Sequence, residues 1–137
     1  MTPEQVALVQ KSFKSVSPIA DKAADIFYDR LFELAPHIRE MFPRDMKEQK
    51  KKLMVMLAMA VVNLHQIDNI VGPIRSLGVR HRKYGVREQH YDTVGEALLY
   101  ALKMGLGDKF TPEVQMSWTV AYGVLADTMK EAAQNAA

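Results

Sequence analysis

The sequence predicts an all-helical fold, and three observations support that prediction. Apolar residues recur at helical spacing, the alternation typical of half-buried strands is missing, and prolines stand where helices begin. The chain has 137 residues, of which 48% are hydrophobic, so one domain can bury a sizeable core. Repeats, low-complexity segments and flexible linkers are not evident. We therefore expect a single all-α domain over residues 1–137 with about seven helices.

The boundaries of the predicted helices depend on capping residues and helix-breaking residues. Thr2 has the character of an N-cap, with Pro3 at the first helical position and Gln5 as a capping-box partner. Ser17-Pro18 and Thr111-Pro112 repeat this start. The predicted helices cover, in order, residues 3–15, 18–34, 36–42, 46–64, 72–84, 88–104 and 112–132.

The helix predicted over residues 46–64 is apolar on every side in its middle. Its run from Leu53 to Val62 is the longest unbroken apolar stretch of the chain. A membrane-spanning helix needs about twenty such residues, so we expect no membrane partner. A helix of this kind must be buried between other elements or against a large apolar ligand. The lack of a secretory signal at the N-terminus and the absence of cysteine favour a cytoplasmic location.

The histidines are the first candidates for chemistry. His37, His65, His81 and His90 do not form the i, i+4 pair of a helical zinc site, and neither a phosphate-binding loop nor a nucleophile elbow occurs. Conventional hydrolytic enzymes are therefore disfavoured. Basic residues cluster at positions 50–52 and 75–87, but the net charge is only +2. Without a nucleic-acid-binding motif we expect a solvated basic rim and no nucleic-acid partner.

His81 differs from the other three histidines in its surroundings. Leu77 precedes it by four residues, so both side chains share one face of a helix. The predicted helix ends just after His81, and Gly85 allows a sharp turn there. This arrangement places an imidazole beside an apolar side chain, as a ligand beneath a flat porphyrin requires.

An ordered set of motifs surrounds this histidine. It comprises Phe27-Tyr28, Pro36, Phe42, Gln49, Leu53, residues 77–86 around His81, Tyr91, residues 94–99, residues 110–112, Trp118 and residues 121–123. With this set the chain resembles the globin family over nearly its whole length. Phe42 and His81, which are 39 residues apart, match the corner phenylalanine and proximal histidine of globins. The chain is most similar to bacterial single-domain globins related to flavohaemoglobins, and its second half also resembles neuroglobin.

The resemblance implies a globin fold around a pocket for haem b, which is iron protoporphyrin IX, with His81 as the metal ligand. A metal-binding imidazole needs an acceptor for its second N–H, and the backbone carbonyl near Leu77 is one candidate. In flavohaemoglobins a tyrosine and a glutamate complete a proximal network. Tyr91 matches the tyrosine, but the glutamate position falls at Ala133. Glu131 is more than half a helical turn away and is expected to face elsewhere.

On the opposite side, the resemblance implies that Tyr28 and Gln49 donate hydrogen bonds to bound oxygen. Leu53, one turn after Gln49, would cover the iron site with apolar surface. Phe42 would stack on the porphyrin. Further pocket walls are expected at Phe27, Leu57, Leu77, Val86 and Val94. Lys52 and Arg80 are candidate partners for the haem propionates, and Met54, Met56 and Met59 are expected as core filling.

The leading functional hypothesis is reversible binding of oxygen for storage, delivery or scavenging, with nitric oxide and carbon monoxide as further ligands. The main alternative is nitric oxide dioxygenation. Because the chain ends at Ala137 without flavin and nicotinamide domains, we expect that reaction to need a separate reductase. Gas or redox sensing is a third hypothesis. A helical interaction domain that keeps the fold without haem is a fourth, and the presence of both Phe42 and His81 argues against it.

Overall fold

The computed structural model describes residues 1–135 and consists of helices joined by short connections, with no strand in that range. The all-α prediction is thus confirmed. The seven predicted helices correspond to one six-residue 3₁₀ helix, Pro36–Met41, and six α-helices. These are α1 (Pro3–Val16), α2 (Ala20–Leu34), α3 (Lys47–Val62), α4 (Val71–Lys83), α5 (Glu88–Leu106) and α6 (Pro112–Asn135).

Several helix boundaries differ from the predicted ones for local reasons. The segment predicted to start at residue 18 begins with the 3₁₀ turn Ser17–Ile19 and becomes α-helical at Ala20. Helix α5 continues through Gly105 because Leu106, at 6% exposure, is packed into the core. Gly107, with a φ of +57°, then ends the helix. The 3₁₀ segment Leu64–Asn69, which the hydrophobic pattern did not predict, connects α3 to α4.

The N-terminal capping box predicted from sequence is present. The backbone N–H of Gln5 donates to the Thr2 hydroxyl at 3.1 Å, and the backbone N–H of Thr2 donates to the Gln5 amide oxygen at 3.0 Å. Two otherwise unpaired donors at the helix start are thereby satisfied. Helix α1 then lies against α6 and carries Val9 and Phe13 into the core.

The helices pack in pairs around two apolar clusters. Helix α2 crosses α5, α1 packs on α6, and α4 lies along α6. The larger cluster joins side chains of α1, α2, α3, α5 and α6, whereas the smaller one joins Ala60, Ile70, Ile74, Tyr91, Ala126 and Met129. Among residues 1–135, no helix is both long enough and apolar enough to cross a lipid bilayer.

Gly78 sets how closely α4 approaches α6. A Cβ atom at this position would lie 2.4 Å from the backbone oxygen of Met129, far inside any allowed contact. Only glycine permits this approach. Because Gly78 lies one turn before His81, the same contact determines where the end of α4 stands relative to the rest of the molecule.

A buried hydrogen bond ties α1 to α6 in the larger cluster. The indole N–H of Trp118, 3% exposed, donates to the Ser12 hydroxyl at 2.8 Å, and that hydroxyl donates to the Val9 carbonyl at 3.0 Å. We predict that Ser12→Ala lowers the free energy of unfolding by about 1–3 kcal/mol, because the indole donor loses its acceptor in a dry site. Urea titration followed by Trp118 fluorescence measures this change.

Ser117→Ala is the matched control for that prediction. Ser117 is also buried, but its hydroxyl donates to the Glu113 carbonyl of the preceding turn, so no buried donor is left unpaired when it is removed. We expect its effect to be below about 1 kcal/mol. Equal effects of the two substitutions would contradict the importance of the Trp118–Ser12 bond.

Candidate functional site

Helices α3 and α4 share few contacts, and we call the region between them the crevice, or slot. Helix α3 packs against α2 and α1, while α4 rests on α6, and over residues 1–135 the two do not pack along each other. Large apolar side chains at predicted pocket positions belong to both clusters yet are only half-buried. They are Phe42, Leu53 and Val94 from the larger cluster and Leu77 and Val86 from the smaller one. These predicted pocket residues therefore keep apolar surface that a ligand could contact.

His81 lies in the last turn of α4, beside this slot, and its ring orientation is set by one hydrogen bond. Its Nδ1 is 2.8 Å from the Leu77 carbonyl oxygen. Because a carbonyl can only accept, Nδ1 carries the proton. The predicted acceptor for the imidazole is therefore confirmed, and the neutral ring keeps a lone pair on Nε2.

The charge state of His81 is consistent with this tautomer. Burial lowers the pKa of His81 below its usual value, the bond to Leu77 opposes that change, and the positive charge of Arg80 lowers the pKa further. The ring is therefore neutral at pH 7, with an unprotonated Nε2 that can bind a metal ion.

On the other side, Tyr28 and Gln49 meet through a hydrogen bond between α2 and α3. The Gln49 amide donates to the Tyr28 phenolic oxygen at 3.2 Å. Since that bond uses the oxygen as acceptor, the phenolic proton is available for another partner. Burial raises the pKa of Tyr28, and the bond from Gln49 opposes this only in part. The phenol therefore remains protonated, and a donor, at neutral pH.

Phe42 stands at the corner after the 3₁₀ helix Pro36–Met41. Its ring packs edge-on against the rings of Tyr28 and Phe32, each at 5.6 Å between centroids. The guanidinium of Arg39 supports the corner by donating to the carbonyls of Pro43 at 2.9 Å and Arg44 at 3.0 Å. Sequence analysis missed Arg39, because only the folded loop reveals which carbonyls lack backbone partners.

The structure does not assemble a proximal network from Tyr91. Tyr91 is 7% exposed, and the Lys130 ammonium lies 5.6 Å from its ring centroid. Over residues 1–135 its hydroxyl makes no hydrogen bond to His81 or to a carboxylate. Glu131 is exposed, in agreement with the prediction that it faces elsewhere. The Ala133 carbonyl accepts from Arg82 at 2.6 Å.

Sequence analysis assigned no role to His90, which the structure places at the start of α5. Its Nδ1 accepts from the backbone N–H of Arg87 at 2.9 Å, so the side chain caps the helix. The ring of His37 lies 5.7 Å away. Burial, followed by the charges of His37 and Arg87, lowers the pKa of His90. Its position three residues after the N-cap is the signal that could have identified it.

The donor set favours one class of ligand. In the part of the chain that the structure describes, no group of three or more His, Asp or Glu side chains could hold a metal ion. A single neutral imidazole beside an apolar slot fits a metal whose other ligands come from a flat organic macrocycle. Iron porphyrin is a group of this kind.

Comparison with known proteins agrees with this geometry. The family model described as Globin matches residues 25–129. The Bacillus subtilis flavohemoprotein is 36% identical over 83% of this chain, which spans 30% of the length of that relative. Leghemoglobin-1 of Lupinus luteus is 30% identical and is aligned over 100% of this chain and 98% of its own length.

Two solved structures share the fold. A bacterial globin from Campylobacter jejuni superposes with a TM-score of 0.81 at 28% identity, covering 97% of this chain and 96% of the other. An engineered carbene transferase, derived from a nitric oxide dioxygenase candidate of Rhodothermus marinus, gives a TM-score of 0.89 at 25% identity. The coverage there is 98% of this chain and 94% of the other.

Proposed function

This chain belongs to the globin family, and on that basis we propose that it holds haem b through His81 and reversibly binds oxygen beside Tyr28 and Gln49. Residues 1–137 would act as one haem-binding domain. The observation that carries the proposal is the hydrogen bond from His81 Nδ1 to the Leu77 carbonyl at 2.8 Å. This bond fixes the orientation of the imidazole ring and leaves Nε2 available to bind a metal ion.

The apolar residues of the slot would hold the flat faces of the macrocycle and exclude water. Phe42 is anchored by Tyr28 and Phe32 and offers its ring as one wall. Leu53, Leu77, Val86 and Val94 offer aliphatic surface from three helices and the turn after α4. Exposed Lys52 and Arg80 would pair with the propionates at the edge of the slot.

When bound, the haem would supply an iron atom that can bind a diatomic gas. Tyr28 would donate a hydrogen bond from its phenolic O–H to that gas, and Gln49 would hold the phenolic oxygen in place through its 3.2 Å bond. Donors already oriented in an apolar site stabilise partial negative charge without reorganisation. The absence of cysteine from the sequence supports a cytoplasmic location for this function.

An absorption spectrum of the purified protein tests the haem proposal. We expect a strong haem band that shifts on reduction and again on addition of carbon monoxide, because we assign Tyr28 and Gln49, and not a histidine, to the side opposite His81. A colourless protein that also fails to take up added haemin would contradict the proposal.

Nitric oxide dioxygenation is a second candidate function. The similarity to the flavohemoprotein and to the Rhodothermus marinus protein favours it, and the donor pair Tyr28–Gln49 suits a polarised oxygen ligand. Nitric oxide, oxygen and one electron together give nitrate, so turnover requires an electron source. Rapid mixing of the oxygen-loaded protein with nitric oxide, followed by nitrate analysis, tests this chemistry. A stable nitric oxide adduct without nitrate would leave oxygen binding as the function.

A further inference from the structure

The loop between the 3₁₀ helix and α3 depends on one side chain for its hydrogen bonds. We call this loop, residues 42–46, the corner loop. The Arg39 guanidinium donates to three consecutive carbonyls there, which are those of Phe42 at 3.4 Å, Pro43 at 2.9 Å and Arg44 at 3.0 Å. Over residues 1–135 no backbone N–H donates to any of the three. Arg39 therefore supplies the bonds that a helix or a sheet would otherwise give this backbone.

The same guanidinium lies against the aromatic rings of the site. Its Cζ atom is 5.3 Å from the centroid of the Phe32 ring. That ring lies 5.6 Å from the Phe42 ring and 5.9 Å from the Tyr28 ring, between centroids. Because a cation over an aromatic face is attracted to the ring, Arg39 holds the Phe32 ring in place as well as the loop. One ring thus links Arg39 to Tyr28.

The corner loop also leads directly into the helix that carries Gln49. The Asp45 carboxylate accepts from the backbone N–H of Lys47 at 3.0 Å, so the first turn of α3 is joined to the loop. Gln49 lies in that first turn and donates to the Tyr28 oxygen at 3.2 Å. Arg39 is therefore connected to both members of the donor pair, to Tyr28 through a ring and to Gln49 through the loop.

The arrangement calls for the shape of arginine and not only for its charge. Over residues 1–135 the ion pairs are Arg30–Glu33 and Lys50–Asp25, so no carboxylate pairs with the half-buried Arg39. A planar guanidinium presents five N–H donors in a fixed fork, whereas an ammonium is a compact point charge on a flexible stem. Three carbonyls in a row match the fork. A lysine would keep the charge but lose most of these bonds.

We propose that Arg39 is a positioning residue for the oxygen site. It holds the corner loop and the ring beside it, so that Tyr28 and Gln49 keep one arrangement. This inference rests on the proposed function. Arg39 acts through Tyr28 and does not itself contact the gas. When its bonds are lost, the start of α3 moves more freely against α2, and the hydrogen bond that Tyr28 donates is weakened.

Oxygen dissociation from the haem-loaded protein, measured in two backgrounds, tests this role. We expect Arg39→Lys and Arg39→Gln each to raise the rate by about 3- to 10-fold in the wild type but by less than about twofold in Tyr28→Phe, where the donor to be positioned is absent. Arg30→Gln is the matched control. Arg30 is a half-buried arginine with its Cζ 4.6 Å from the Tyr100 ring centroid, and its removal should leave the rate unchanged.

Hydrogen exchange gives a readout that does not depend on the gas. Followed by mass spectrometry in the haem-free and the haem-loaded protein, Arg39→Lys should speed exchange of the amides in residues 42–50 and leave those of α6 unchanged. Arg30→Gln should change neither segment. Unchanged exchange in residues 42–50 of Arg39→Lys would show that the loop does not depend on the guanidinium and would overturn the proposal.

Three kinetic results would also overturn it. Wild-type oxygen dissociation in Arg39→Lys would mean that positive charge alone is sufficient. Equal changes with and without the Tyr28 hydroxyl would mean that Arg39 does not act through Tyr28. Faster haem loss with an unchanged oxygen dissociation rate would assign Arg39 to the haem edge. A colourless protein would overturn the proposed function as well, whereas any of these results in a haem-loaded protein overturns the role of Arg39 alone.

Discussion

His81→Ala should raise the rate of haem dissociation by at least about 100-fold and remove the spectrum of a histidine-bound iron. His81 is the imidazole beside the crevice, and the Leu77 carbonyl fixes its tautomer with Nε2 unprotonated. Of the other histidines, His90 uses its Nδ1 to cap α5 and His65 is exposed. His37 is exposed as well, and we expect none of these three rings to replace His81. Haem transfer to an excess of a haem-accepting apoprotein, followed by absorbance, measures the rate.

Two controls separate ligation from folding in this experiment. His65→Ala removes an exposed ring that lies 3.5 Å from the Gln10 amide, and it should leave haem dissociation unchanged. Imidazole added to His81→Ala should restore the absorption spectrum, because it can occupy the space that the substitution opens. An unaltered haem spectrum in His81→Ala, or an equal effect of His65→Ala, would refute the assignment of His81.

The helices were predictable because their signals are local. The capping box of Thr2 and Gln5 forms within one turn, and Gly85, with a φ of +93°, makes the predicted turn after α4. The hydrogen bond from His81 to Leu77 also joins residues one turn apart, so a spacing argument could find it. In each case a few neighbouring residues contain the whole interaction.

The remaining parts of the site depend on contacts between distant segments. The orientation of the Gln49 amide toward Tyr28 follows from how α2 and α3 pack, which periodicity does not specify. The fit of α4 on α6 is set by the contact of Gly78 with the Met129 backbone. That packing leaves Lys130, and not a carboxylate, over the ring of Tyr91. Sequence analysis matched Tyr91 to the network tyrosine and found Ala133 at the glutamate position, but it could not place Lys130 beside that ring.

Tyr28→Phe should raise the oxygen dissociation rate by about 10- to 100-fold. The substitution removes only the phenolic O–H, which the structure leaves available because Gln49 donates to the oxygen. A hydrogen bond to a partially charged acceptor contributes about 1.5–3 kcal/mol, and each 1.4 kcal/mol corresponds to a factor of ten. Displacement of oxygen by excess carbon monoxide in a stopped-flow instrument gives the rate. Tyr100→Phe, which alters an exposed tyrosine stacked under Arg30, is the matched control and should leave the rate unchanged.

A double-mutant cycle decides how Gln49 acts. If Gln49 only holds Tyr28 in place, Gln49→Leu should raise the dissociation rate in the wild type but change it less than about twofold in Tyr28→Phe, because nothing remains to be oriented. If the Gln49 amide contacts the ligand directly, Gln49→Leu should raise the oxygen dissociation rate both in the wild type and in Tyr28→Phe. The 3.2 Å bond directs the Gln49 amide toward the phenolic oxygen and leaves the phenolic hydrogen of Tyr28 free for the ligand. We therefore expect that Gln49 acts only by holding Tyr28 in place. An unchanged oxygen dissociation rate in Tyr28→Phe would refute the role of the pair altogether.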